Sequence, residues 1–242
     1  MAELQLPDAK IDEKIDRLLE LVPAPEVSAD LHRRLSGSLA ASLQAVNPLP
    51  SAGVLVVQFG SIFLLFAAAL IAILGVAGFR MLHTWQALGI LVLLAVGVSL
   101  LSLALAWQIR PGSLQKIPAA LSWASFGVGF LSGAALLFPW RGAKAFVSQG
   151  WPCLLTGSAV AIPGGILFWL IARRGVPLSA GTFGGTLGAI AGLLGLTVLQ
   201  FRCIHQDAVH IMVWHGGVLA VSIAAGVLVA RMIERTLRSK RL

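Results

Sequence analysis

Charge is scarce in this sequence. Asp, Glu, Lys and Arg make up 12% of its 242 residues, against roughly 25% in an average soluble domain, while 57% are apolar. That balance excludes an ordinary water-soluble fold and fits a protein built into a bilayer. No Asp, Glu, Lys or Arg falls within the apolar stretches at about 52–78, 84–107, 117–139, 153–172, 178–199 and 209–230. Each stretch is long enough to cross a hydrocarbon layer roughly 30 Å thick as a helix. Transporters and proton pumps keep ionisable groups at membrane depth, so six uncharged spans argue against a polar transport path. An apolar h-region near the N-terminus is lacking as well, so no cleavable signal peptide is expected and the chain is expected to start in the cytoplasm. Nowhere are a nucleophile, a base and an acid grouped, so no enzyme is expected.

The charges that do occur are unevenly placed. Eight of the ten acidic residues lie in the first 30 positions, which carry a formal −5, leaving +13 for the remainder. In a soluble protein a pI near 10.8 would point to nucleic acid. Here the basic residues sit at membrane ends, and no direct nucleic-acid partner is expected. Six spans put both termini on one side. The two tails and the loops on their side hold 14 of the 18 Lys and Arg residues, and Arg80, Arg141, Lys144 and Arg202 are the other four. The excess of positive charge predicts a multi-pass protein with both N- and C-termini in the cytoplasm.

The expected architecture is an all-α integral membrane protein. It comprises a cytoplasmic amphipathic arm at 1–50, a six-helix bundle at 51–232 and a basic tail at 233–242. The fifth span carries Gly184, Gly188 and Gly192 at four-residue spacing, which lets a second helix approach its backbone closely. Pro163-Gly164-Gly165 predicts a kink in the fourth span. Trp85, Trp107, Trp140, Trp151 and Trp169 fall near span ends, as an interfacial aromatic belt does.

The arm reads as two helices. After Asp8, an N-cap residue, Ile11, Ile15, Leu18, Leu19 and Val22 form one apolar stripe with acids on the opposite face. Val22-Pro23-Ala24-Pro25 stops it. A second pattern runs through Val27, Leu31, Leu35, Leu39, Leu43 and Val46. So short a segment cannot bury both stripes by itself, so a partner is expected. The lipid bilayer, a second copy of the chain and a protein partner are the three options. The acidic first helix favours a protein over an anionic lipid surface.

Cysteine is nearly absent: there are only two, Cys153 and Cys203, both placed by this topology on the non-cytoplasmic side, where a disulfide is permitted. The run Cys203-x-His205-x-Asp207-x-x-His210-x-x-x-Trp214-His215 is the densest set of metal- or redox-competent groups. Cys153, Cys203, His205 and His210 are therefore the expected holders of a transition metal, with Asp207 a further candidate ligand. On a regular helix His210 and His215 stand about 140° apart, so they are not expected to chelate together.

These features resemble the six-helix membrane anti-sigma proteins related to the negative regulator of sigma F, the NrsF family. The resemblance rests on the short arm, the six spans, Gly150-Trp151-Pro152-Cys153, Arg173-Arg174-Gly175-Val176-Pro177-Leu178, and the region from Cys203 to Trp214-His215-Gly216. It implies a protein of the bacterial inner membrane whose arm holds an extracytoplasmic-function sigma factor and releases it on an envelope metal or redox signal. The sigma factor would bind Ile11, Ile15, Leu18, Leu19 and Val22, continued by Leu31 and Leu35. Cys153 and Cys203 would be the sensor pair, expected close enough to be bridged or to share a ligand. The arm has His32 but no cysteine, so it lacks the pattern of soluble zinc anti-sigma proteins. The alternative is a small membrane transporter or metal permease that loads at the Cys/His cluster. A haem- or quinone-binding protein would need paired axial ligands, for which only His215 is deep enough.

Overall fold

A computed structural model describes residues 28–42, 50–110, 118–140, 146–173, 175 and 179–239. Every element among the described residues is helical. The chain divides into two compact units, Met1–Pro48 and Leu49–Leu242.

In the first unit, α1 spans Ala29–Ser42. The Ser28 hydroxyl accepts from Leu31 N at 3.2 Å, satisfying one of the free N–H groups of the first turn. Asp30 pairs with Arg34 one turn on, at 2.9 Å; both are exposed, so the pair contributes little. Leu31 and Leu35 are also exposed. Ile11, Ile15, Leu18, Leu19 and Val22 lie outside the described residues.

The second unit holds six helices long and apolar enough to cross a membrane: α2 (Ala52–Leu74), α3 (Thr84–Gln108), α4 (Ala119–Leu137), α5 (Phe146–Ala172), α6 (Ala180–Arg202) and α7 (Ala208–Ser239). They match the six expected spans, with two shifts. α5 begins at Phe146, so Cys153 and Pro152 lie inside the helix rather than at its start. Tertiary packing holds the extra turns: the Phe146 ring lies 5.3 Å from Trp214, and the Trp214 indole rests directly on Gly150. α7 in turn runs past residue 230 to Ser239. Arg231, Glu234, Arg235 and Arg238 end the hydropathy signal, but they are good helix formers and contain no breaker.

α6 is the hub, with 94% of its apolar window buried against 11 to 39% for the others, and it touches all five other spans. Its broadest contact is with α7 and the next with α5, and glycine makes both possible. A Cβ on Gly188 would run into the Ser222 carbonyl, one on Gly184 into the Gly226 carbonyl, and one on Gly195 into the Gly157 carbonyl of α5. The row of small residues thus lets backbones meet, as its spacing predicts. Polar clasps fix α3 and α4. Thr186 Oγ1 of α6 accepts from Gln108 Nε2 of α3 at 2.7 Å and from Trp123 Nε1 of α4 at 3.0 Å. Gln86 Nε2 donates to the Leu137 carbonyl at 2.7 Å, tying the start of α3 to the end of α4.

These contacts predict that Gly188→Ala costs about 1 to 3 kcal/mol, because the added methyl must push the α6 and α7 backbones away from each other. Gly127→Ala, into open space, should be neutral or slightly stabilising. Thermal unfolding in detergent checks the contrast, and equal effects at both positions would contradict the packing described.

Candidate metal and thiol centre

Three chain segments meet where α6 ends and α7 begins. Cys203 is the residue that closes α6, its N–H donating to the Leu199 carbonyl at 2.7 Å. Gly78, just before the short helical turn Phe79–Met81, lies against the Cys203 carbonyl, and Phe79 stacks on Phe201 at 4.6 Å. Gln206 Nε2 donates to the same carbonyl at 2.6 Å. The Cys203 backbone is therefore clamped from both sides. Cys153 reaches it from α5, and the two Sγ atoms lie 3.4 Å apart as free thiols.

α7 supplies two imidazoles. Asp207 caps it, its Oδ1 accepting from His210 N at 2.9 Å. The helix then departs from α geometry: Ile211–His215 form a π turn, with Gly216 N donating to the Ile211 carbonyl five residues back. The extra residue in that turn overturns the expectation that His210 and His215 point about 140° apart. Their ring centroids are 5.4 Å apart, and both side chains are fully buried.

The donor atoms of Cys153, Cys203, His210 and His215 all lie within 4.8 Å of one another. Cys203 Sγ is 3.5 Å from His210 Nε2. His215 Nδ1 is 2.7 Å from Gln200 Oε1; a carbonyl oxygen can only accept, so Nδ1 carries the proton and donates. Nε2 of His215 is buried without a hydrogen-bond partner. A tetrahedral zinc site with Zn–S near 2.3 Å places its two sulfurs about 3.8 Å apart, close to the separation here. These four residues can therefore hold a thiophilic metal with little rearrangement, and the two thiols are also near enough to oxidise to a disulfide after a side-chain rotation.

Of the ligands expected from sequence, Cys153, Cys203 and His210 are brought together. His205 stands beside them, its ring 5.3 Å from that of His210, but it does not belong to the four-residue group. Asp207 is occupied as the helix cap. Their place is taken by His215, which only the π turn brings round. Gln200 also escaped the sequence reading, although a lone amide three residues before Cys203 at the end of an apolar helix was a signal. A cleft of about 340 Å³ leads to both sulfurs, lined among others by Gln149, Thr156, Arg202 and His205. No protein-family model, curated protein or solved structure matches this chain.

The hydrogen bond shared with Cys153, which holds the proton on Cys203, raises the Cys203 thiol above its usual range, and burial pushes it the same way against the smaller opposing effect of His210 and His215. Only a thiolate alkylates readily, so Cys203 should react slowly at neutral pH. Cys153→Ala removes the largest raising contact, and the pH midpoint for alkylation of Cys203 should then fall. Rates measured with iodoacetamide across pH check this; a midpoint at or above the parent's would contradict it.

Proposed function

We propose that this chain is an anti-sigma factor of the bacterial inner membrane, with both termini in the cytoplasm. Its arm holds an extracytoplasmic-function sigma factor, and the Cys/His centre at the other side of the membrane releases it on a metal or oxidant signal. The observation that carries this reading is the convergence of Cys153 and Cys203 at 3.4 Å with two buried imidazoles beside them. Such a cluster is compact and reached by a cleft, which suits sensing. Transport would need ionisable groups along a path, and the middle stretches of the six helices contain none. The orientation is supported by the excess of Lys and Arg in the tails and the loops on their side.

α7 gives the signal a route. The helix carries His210 and His215 near its start and Arg231, Arg235 and Arg238 in its last turns, so a change at the centre acts on one continuous element. The arm supplies the output. Five apolar side chains on one stripe, each worth about 1.5 to 3 kcal/mol when buried, suffice for a micromolar or tighter complex after ordering costs. The acids opposite the stripe suit a basic, DNA-binding partner.

Ile15→Asp or Leu18→Asp should weaken the complex by about 3 kcal/mol, on the order of a hundredfold in Kd, because an unpaired carboxylate would be buried. Co-purification from native membranes measures it, with the bundle's thermal unfolding as control. Recovery of a sigma factor with the parent and its loss with both variants supports the reading; undiminished recovery with both would overturn the role of the stripe.

A further inference from the structure

We infer that Cys153, Cys203, His210 and His215 form a single site for a thiophilic divalent cation of the zinc class, and that cation and disulfide exclude one another there. The inference deepens the proposed function by naming the chemistry of its signal, and it rests on that reading only for its physiological meaning.

The donor set decides the class of ion. Two sulfurs and two imidazole nitrogens in a compact group match tetrahedral zinc-type coordination, whereas calcium and magnesium require oxygen ligands. The charge balance suits the location. A divalent cation displaces one proton from each thiol to solvent, and two thiolates neutralise its two positive charges. A neutral centre is far cheaper to hold beside fully buried groups than a lone cation or a lone thiolate would be.

The two histidines are prepared for this role in different ways. Gln200 Oε1 fixes the proton of His215 on Nδ1 and so leaves the Nε2 lone pair free, buried and without a partner. That is the orientation a ligating histidine receives from an outer hydrogen-bond acceptor, and it makes Gln200 a positioning residue. His210 presents Nε2 3.5 Å from Cys203 Sγ, one residue before the π turn that swings His215 inward. The glycine contacts between α6 and α7 begin just beyond the turn, at Val218 and Leu219.

Both sulfurs are also the substrate of oxidation. Hydrogen peroxide takes two electrons and two protons from the thiol pair, forms the S–S bond and leaves two molecules of water. Neither sulfur is then a thiolate, and the cation loses half of its ligands. Conversely, a bound cation holds both sulfurs and slows their oxidation.

The test is a titration of the reduced, detergent-solubilised full chain with Co(II), whose visible absorption reports tetrahedral sulfur coordination, followed by displacement with Zn(II). One equivalent should bind with a sulfur-to-cobalt charge-transfer band. Peroxide should abolish binding, dithiothreitol should restore it, and Zn(II) loading should slow disulfide formation at least about tenfold. His215→Ala should weaken binding a hundredfold or more, and His205→Ala less than about threefold. Gln200→Leu should weaken it roughly 10- to 100-fold with the charge-transfer band retained, and Gln200→Glu, which still accepts from Nδ1–H, should recover most of the loss. The inference is overturned by the absence of saturable binding to the reduced parent, which needs no variant to fold. It is equally overturned if peroxide-treated protein binds as well as reduced protein, or if His205→Ala loses binding while His215→Ala keeps it. A chain that binds no metal yet releases its partner on oxidation would keep the proposed function and lose this inference.

Discussion

Backbone contact between α6 and α7 sets the geometry on which the rest of the molecule depends. In lipid there is little hydrophobic drive to bring helices together, so close van der Waals approach must supply the association. Gly184, Gly188 and Gly226 permit that approach because no Cβ stands between the Cα of each and the carbonyl of the helix it faces. With α7 held at this distance, its first turns have to lie beside the end of α6, where Cys203 caps the helix. α5 is drawn in by the same device, Gly157 against Gly195, and carries Cys153 to within 3.4 Å of Cys203. The centre is therefore a consequence of small-residue packing some distance along the helices. Its own polar contacts then orient the side chains.

Much of the fold was legible because the bilayer constrains it so tightly. A spanning segment must satisfy all its backbone groups within itself, so long uncharged runs could only be helices. The spacing of Gly184, Gly188 and Gly192 announced the close contact without naming its partner. The placement of Cys153 and Cys203 on one side followed from counting spans. The early start of α5 was not legible, because Gly150 and Pro152 look like breakers. What keeps the helix going there is the Trp214 indole lying against Gly150, a contact across 64 positions of sequence that local propensity cannot register.

The candidate site was half legible for a related reason. Cys153, Cys203 and His210 emerged from residue type and topology. His215 did not, since the regular α-helical period that exposed every other pattern in the chain places it on the wrong face. A π turn adds one residue to the cycle, and here it follows the cap at Asp207 and contains Trp214, packed on Phe146 and Gly150, with no motif to announce it. Asp207 shows the reverse case, since a carboxylate among histidines reads as a ligand, whereas its Oδ1 accepts from the His210 N–H and starts a helix. π turns occur often at functional sites, and here the distortion puts a second imidazole on the thiols.

Whether the four side chains act as one coordination set is reported most directly by X-ray absorption at the zinc edge. For the reduced full chain loaded with one equivalent of Zn(II), the geometry predicts two sulfur neighbours near about 2.3 Å and two imidazole nitrogens near about 2.0 to 2.1 Å. A spectrum of nitrogen and oxygen neighbours alone, or of a single sulfur, would contradict it.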